Sequence, residues 1–259
     1  MAAKPVYQDL HQAEVAAIAA LEPELRDHLA LTTAAFNLIA RLALLTEIHT
    51  TPMNVLPKSL HVAVMLLFRL ANDLRSVQML AGTGYPVQAL ALVASMYEVA
   101  YTAAFIGNDE AIAQDWLDHD DPANLFRPVL FLTKEALTKL DLMDSPDRPD
   151  LEYRTYRMLC WAKHANPILE RAWVVGVEGE TVTSTLGPYT SPLAVRFAWF
   201  ALEHTASYAY IGMGSLIRSH LIARLPEELG RAHRAIALRR NELNAKARAR
   251  WPEGWPEKW

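Results

Sequence analysis

The segment from residue 86 to residue 106 constrains the fold most strongly, because it is apolar on every helical face and carries one charge, Glu98. A helix of that kind is surrounded by protein or by lipid. The turn-forming run at 82–86, Gly-Thr-Gly-Tyr-Pro, interrupts the longest uncharged stretch, whereas a membrane span needs about 20 unbroken apolar residues. We therefore expect these residues to form the central helix of a bundle, with no membrane insertion.

Helical periodicity extends through most of the remaining sequence. Between residues 56 and 81, apolar residues recur at spacings of three and four, which is typical of a core-facing helix. Pro23 is expected to end one helix and start the next, because proline lacks an amide hydrogen. β-Branched residues flank Glu178-Gly179-Glu180, which predicts a small hairpin over about 173–185 in an otherwise all-α fold. The predicted helices are 5–22, 24–49, 56–81, 86–106, 109–118, 123–141, 150–164, 191–222 and 226–249.

Length and composition favour a single domain. The 259 residues are 52% hydrophobic, enough for one large core, so we expect one helical domain over 1–250 and a short tail over 251–259. The net charge of −4 gives no overall attraction to nucleic acid or anionic lipid, so such a partner must be held by a local patch. Cys160 is the only cysteine, and the first residues lack a secretory h-region. We expect a cytoplasmic protein with no cofactor.

Arg157 and His164 are the first candidate catalytic pair. Seven helical steps make nearly two turns, so the two side chains share a helix face about 10 Å apart along the axis. An arginine can stabilise charge on a phosphorane while a histidine transfers a proton, which is the minimum for cleaving RNA through its 2′-hydroxyl. The alternative is structural: His164 satisfies backbone groups at the helix end, and Arg157 pairs with Glu152 or Asp150.

Two runs of sequence resemble a bacterial group of helical proteins related to the HEPN superfamily. One extends from Phe68 to Arg75 and continues through Leu80, Gly84 and Ala89 to Ser95-Met96-Tyr97-Glu98, and the other extends from Tyr156 to His164 with Pro167 beyond it. The resemblance covers about residues 60–170. It implies a HEPN-like helical bundle that dimerises, and it implies that Arg157 and His164 match the arginine and histidine of HEPN ribonucleases. A HEPN-like body that binds nucleotides or a partner without cutting is the alternative.

Glu98 is the second candidate feature, because a carboxylate on an apolar helix needs a cation or hydrogen-bond donors. We expect Arg69 or Arg75 of the preceding helix to supply them in a structural ion pair. The functional alternative is that Glu98, one of these arginines and His164 converge in a polar cleft, where their pKa values would be mutually perturbed.

The last thirty residues form a third candidate region. Residues 231–250 contain seven basic side chains and one acidic one, Glu242, so this helix is expected to meet phosphates or to pair with the acidic 109–121 surface of the same chain or of a second copy. The tail presents three tryptophans in nine residues, which we expect to dock in a groove. The residues assigned to binding are Arg231, Arg234, Arg239, Arg240, Trp251, Trp255 and Trp259.

Metal sites are not expected, because no histidine follows a glutamate by three residues. Asp115 and His119 stand one helical turn apart, where they either bind a divalent ion or belong to a solvated acidic surface. Our leading hypothesis is a prokaryotic nucleic-acid-directed protein, with RNA as its partner, that acts as a metal-independent endoribonuclease of toxin or defence type. The competing hypothesis is a non-catalytic binding or assembly protein that uses the basic helix and the tryptophan tail.

Overall fold

The computed structural model describes residues 6–52, 55–120, 128–164, 175–178, 181–184 and 187–252. Within them the protein is an all-α bundle, as predicted. A two-stranded antiparallel sheet joins β1 (Val175–Glu178) to β2 (Thr181–Ser184), with Val175 opposite Ser184. The helices are α1 (Val6–Leu45), α2 (Lys58–Gly82), α3 (Pro86–Ile106), α4 (Glu110–Asp118), α5 (Val129–Leu140), α6 (Arg148–Lys163), α7 (Pro192–Leu216, continued by a π-helical turn over Ile217–Leu221) and α8 (Glu227–Arg250).

The apolar helix α3 lies at the centre of the bundle, as its sequence predicts. It packs against α2, α5, α6 and α7. Met96, Tyr97 and Tyr101 are fully buried on it. Because α3 is covered on several sides, it needs no polar face, and this accounts for its nearly uniform apolar composition.

Helix α2 presents the predicted stripe to the core. Each residue of the stripe is buried, and the helix ends at Gly82 before the turn into α3. Asp73, which the periodicity places on the polar side, is also buried, and Arg69 donates to it at 2.8 Å. The stripe consists of Leu60, Val64, Leu67, Ala71 and Leu74.

The predicted break at Pro23 is wrong, because α1 runs through it without interruption. A proline inside a helix costs roughly 3 kcal/mol. Leu21 and Leu25 on either side are buried in the main core, and burial of each leucine contributes about 1.5–3 kcal/mol. Tertiary packing therefore outweighs the local cost of the proline. A prediction from short sequence windows does not include that packing.

Among the described residues, two helices are long and apolar enough to span a membrane by length and composition alone, Asp9–Leu45 and Pro86–Ile106. Core helices of bundles pass the same test, so the observation is weak evidence of a span. In this fold α1 packs against α2, α7 and α8, and α3 packs against four neighbours. Both helices therefore have protein partners, although Val15, Ile18 and Leu44 of α1 are exposed.

Candidate anion-binding site

A cavity of about 790 Å³ lies between α6, α7 and α8. Seven charged side chains of the described residues line it, and five of these are arginines. Arginine excess of this kind favours an anion, because guanidinium groups bind phosphate or carboxylate through paired hydrogen bonds. The charged lining residues are Arg148, Arg154, Arg196, Arg240 and Arg248, with Glu152 and Glu203.

Helix α7 supplies the buried polar groups of the cavity. Arg196, Glu203 and Ser207 follow one another at seven and four residues, so they share a helix face, and His204 adjoins them. This spacing within an otherwise apolar helix is the sequence signal that our interpretation of residues 191–222 missed. Asn244 of α8 donates to the Glu203 carboxylate at 2.5 Å, while burial raises the pKa of that carboxyl.

His204 presents a hydrogen-bond acceptor to the cavity. Its Nδ1 lies 3.0 Å from the carbonyl oxygen of Phe200, which can only accept, so Nδ1 carries the hydrogen. The remaining Nε2 then has its lone pair free. Burial lowers the pKa of the imidazole to about 4, and the neighbouring positive charge of Arg240 acts in the same direction. His204 is therefore neutral at physiological pH.

Arg240 carries a positive charge that no carboxylate neutralises through a hydrogen bond within the described residues. Its guanidinium donates to Ser207 Oγ at 3.0 Å and to Asn241 Oδ1 at 2.9 Å, and both acceptors are neutral. Its Nε is buried and has no hydrogen-bond partner within the described part of the chain. Arg148 differs, because it binds both Asp144 and Glu152. An incoming anion would thus be bound by Arg240 more readily than by Arg148.

The cation-rich face of α8 binds acidic residues of α1. Arg239 and Lys246 reach Asp27 at 3.0 and 2.8 Å, and Arg250 reaches Glu24 at 2.6 Å. The predicted pairing with the 109–121 surface of the same chain is therefore wrong, because α8 packs on α1 and α7. Pairing with a second copy stays a prediction.

The residues predicted to bind a partner thus separate into two groups. Arg240 and Trp251 line the cavity. Arg239 also binds Glu242, Arg231 binds Glu227 of its own helix, and Arg234 is exposed. Of these residues, Arg240 and Trp251 lie where a small anionic ligand would be enclosed.

Trp251 is the part of the predicted tail that the structure describes. It is half-buried, and its ring meets Trp199 edge to face at a centroid distance of 5.0 Å. The Arg250 guanidinium lies 4.9 Å from the Trp251 ring centroid. The start of the tail is therefore docked on the bundle, while Trp255 and Trp259 lie outside the described residues.

Glu98 has partners other than those predicted. The Tyr156 hydroxyl donates to its carboxylate at 2.6 Å, and Lys163 Nζ donates at 2.9 Å. Both residues belong to α6 and are seven residues apart, so they share the face that packs on α3. The need for donors was predicted correctly, but the helix that supplies them was not.

Within the described residues, Arg69 and Arg75 form no salt bridge with Glu98. Arg69 donates to Asp73 and Ser95, and Arg75 donates to Gln78. Both arginines therefore bind residues of α2, and Arg69 also binds Ser95 of α3. The predicted ion pair of Glu98 with Arg69 or Arg75 is therefore wrong, and a polar cleft that includes Glu98, Arg69 and Arg75 stays a prediction.

Arg157 and His164 are both exposed on α6. His164 caps the helix, and its backbone N–H donates to the carbonyl oxygen of Cys160 at 3.0 Å. The described residues offer Arg157 no salt bridge, since Glu152 pairs with Arg148. Neither side chain lines the cavity. The pair is accessible to a large ligand such as RNA, but it lies apart from the arginine-rich site.

The described residues contain no group of three His, Cys, Asp or Glu side chains able to hold a metal ion. Asp115 and His119 are exposed at the end of α4. Comparison with protein-family models, curated proteins and solved structures gave no match. The chain's all-α bundle is therefore established by its structure, and the HEPN relationship stays a prediction.

Proposed function

We propose that the protein binds a phosphate-bearing ligand, a nucleotide or the end of an RNA strand, in the cavity between α6, α7 and α8. The observation that carries the proposal is the Arg240 guanidinium, hydrogen-bonded only to neutral acceptors of the described chain, in a cavity with five arginines and two carboxylates. A pocket of 300–1,000 Å³ is typical for small-molecule sites. A phosphate-bearing ligand agrees with the nucleic-acid-directed function predicted from the sequence. Its phosphate would lie beside Arg240.

Replacing Arg240 with glutamine should weaken binding of inorganic pyrophosphate and of AMP. Loss of hydrogen bonds to a charged group, each about 1.5–3 kcal/mol, corresponds to roughly tenfold or more in Kd. Isothermal titration calorimetry at low salt measures the change. The matched control is Arg231→Gln on the same helix, whose guanidinium binds Glu227 outside the cavity. If wild-type protein binds neither compound, or if both variants weaken binding equally, the site assignment is wrong.

A metal-independent endoribonuclease centred on Arg157 and His164 is the second candidate. It is favoured by the exposure of both side chains on one helix and by the absence of a salt bridge to Arg157 within the described residues. His164 would accept the proton of a 2′-hydroxyl that attacks phosphorus, and Arg157 would stabilise the phosphorane. In the homodimer that the HEPN resemblance implies, two such pairs would face one RNA.

Cleavage of mixed RNA by this second site should persist in EDTA, because neither residue needs a metal. His164→Ala should abolish it, whereas His119→Ala, another exposed histidine, should leave it unchanged. Gel electrophoresis of the RNA products measures both results. RNA that stays intact with the wild-type protein, or that is cut equally by His164→Ala, would exclude the ribonuclease and would leave a binding protein.

A further inference from the structure

The cavity combines buried acceptors with arginines that range from buried Arg196 to exposed Arg248. Glu203 is 4% exposed and His204 is half-buried, whereas Arg248 is exposed. Arg240 is half-buried and binds Ser207, one turn beyond Glu203 on α7. A ligand that fits this arrangement has hydrogen-bond donors where it meets Glu203 and His204 and negative charge where it meets Arg240 and Arg248.

Glu203 and His204 have hydrogen-bond acceptors that no described residue uses. Asn244 occupies one oxygen of the Glu203 carboxylate, and the other oxygen has no hydrogen-bond partner among the described residues. A carboxylate accepts about four hydrogen bonds in all. His204 Nε2 is an additional acceptor, because its Nδ1 is committed to Phe200. Glu203 and His204, successive residues of α7, both line the cavity.

The walls beside these acceptors suit a flat ring. Met158 of α6, Phe200 of α7 and Ile236 of α8 line the cavity, one from each helix. The faces of a nucleobase would be buried favourably against such walls. The polar edge of the base would then be free to meet Glu203.

We propose that the cavity selects a guanine nucleotide, with the base at Glu203 and the phosphate at Arg240 and Arg248. This inference rests on the proposed phosphate-binding function. Guanine carries adjacent N1–H and N2–H donors, which match the two oxygens of a carboxylate. Adenine has a lone pair at N1, which would face the carboxylate charge. A buried acceptor left unpaired in this way weakens binding strongly.

Titration calorimetry with GMP, IMP and AMP tests the selection on the wild-type protein. We expect GMP to bind about tenfold or more tightly than AMP, as one charged hydrogen bond implies. IMP, which keeps N1–H but lacks the N2 amine, is expected to bind with intermediate affinity. Equal affinities for GMP and AMP would overturn the guanine assignment, while binding of pyrophosphate with loss in Arg240→Gln would still support the phosphate site.

Glu203→Gln provides the matched variant, since it removes the charge but keeps the shape and an oxygen for Asn244. It should reduce GMP affinity to the level of AMP. Glu152→Gln, the other lining carboxylate, should leave the GMP-to-AMP ratio unchanged because Glu152 is bound by Arg148. A ratio that survives in Glu203→Gln, or that falls equally in Glu152→Gln, overturns the role of Glu203. The wild-type GMP, IMP and AMP comparison decides the matter if Glu203→Gln fails to fold.

Discussion

Replacing Tyr97 with alanine should lower the free energy of unfolding by about 4 kcal/mol, the range typical of large aromatic deletions in a core. Tyr97 is fully buried on α3, where its ring lies 4.4 Å from that of Tyr101, 4.7 Å from that of Tyr156 and 5.3 Å from that of Tyr208. Alanine would leave a cavity where α3, α6 and α7 meet. Urea denaturation followed by circular dichroism measures the loss.

The Tyr97 hydroxyl adds to this effect, because it lies 2.6 Å from the buried hydroxyl of Thr133 on α5. The control is Phe68→Ala on α2, an aromatic residue that is 48% exposed, for which we expect a loss of about 1 kcal/mol or less. Equal losses for the two variants would mean that α3 is not the centre of the core.

Replacing Gly84 with alanine should destabilise the fold by about 3 kcal/mol, from a left-handed backbone conformation and a steric clash together. Gly84 has φ of +89°, and an added Cβ would lie 2.7 Å from Pro188 Cβ and 2.9 Å from the backbone nitrogen of Tyr189. Tyr189 N–H also donates to the Gly84 carbonyl oxygen at 2.8 Å, so the two segments cannot separate without losing that bond. Thermal and urea unfolding measure the effect.

Gly82→Ala is the matched control, two residues earlier in the same turn. An added Cβ there meets no atom within 4 Å, and Gly82 is the last residue of α2. Alanine in a helix is favoured over glycine by about 0.5–1 kcal/mol, so this variant should be neutral or more stable. A similar loss in both variants would contradict the close approach of the 188–189 segment to Gly84.

Local sequence signals predicted the helices well, because each depends on residues three or four apart. The stripe from Leu60 to Leu74 and the apolar segment 86–106 are examples, since both lie where their periodicity places them. Pro23 is the exception. Its penalty is local, but the burial that offsets it comes from helices far away in the sequence.

The candidate site could be predicted only in part. Arg240 was assigned to phosphate binding because basic residues cluster in its helix, whereas Glu203 and Asn244 were missed because their meeting depends on how α7 packs on α8. Glu98 shows the same limit. Its need for donors follows from chemistry, but the choice of Tyr156 over Arg69 depends on which helix lies beside α3.

The pairing of α8 with α1 brings distant parts of the chain together beside the cavity. Lys246 binds Asp27 across 219 positions of the chain, and closing a flexible loop of that length costs about 5 kcal/mol in entropy. Helices α6 and α7 can be held by their shared contacts with α3 before this closure. Helix α8 also packs on α7, which precedes it in the chain, so a ligand that bridges α7 and α8 would stabilise the wall that carries Arg240, Asn244 and Arg248.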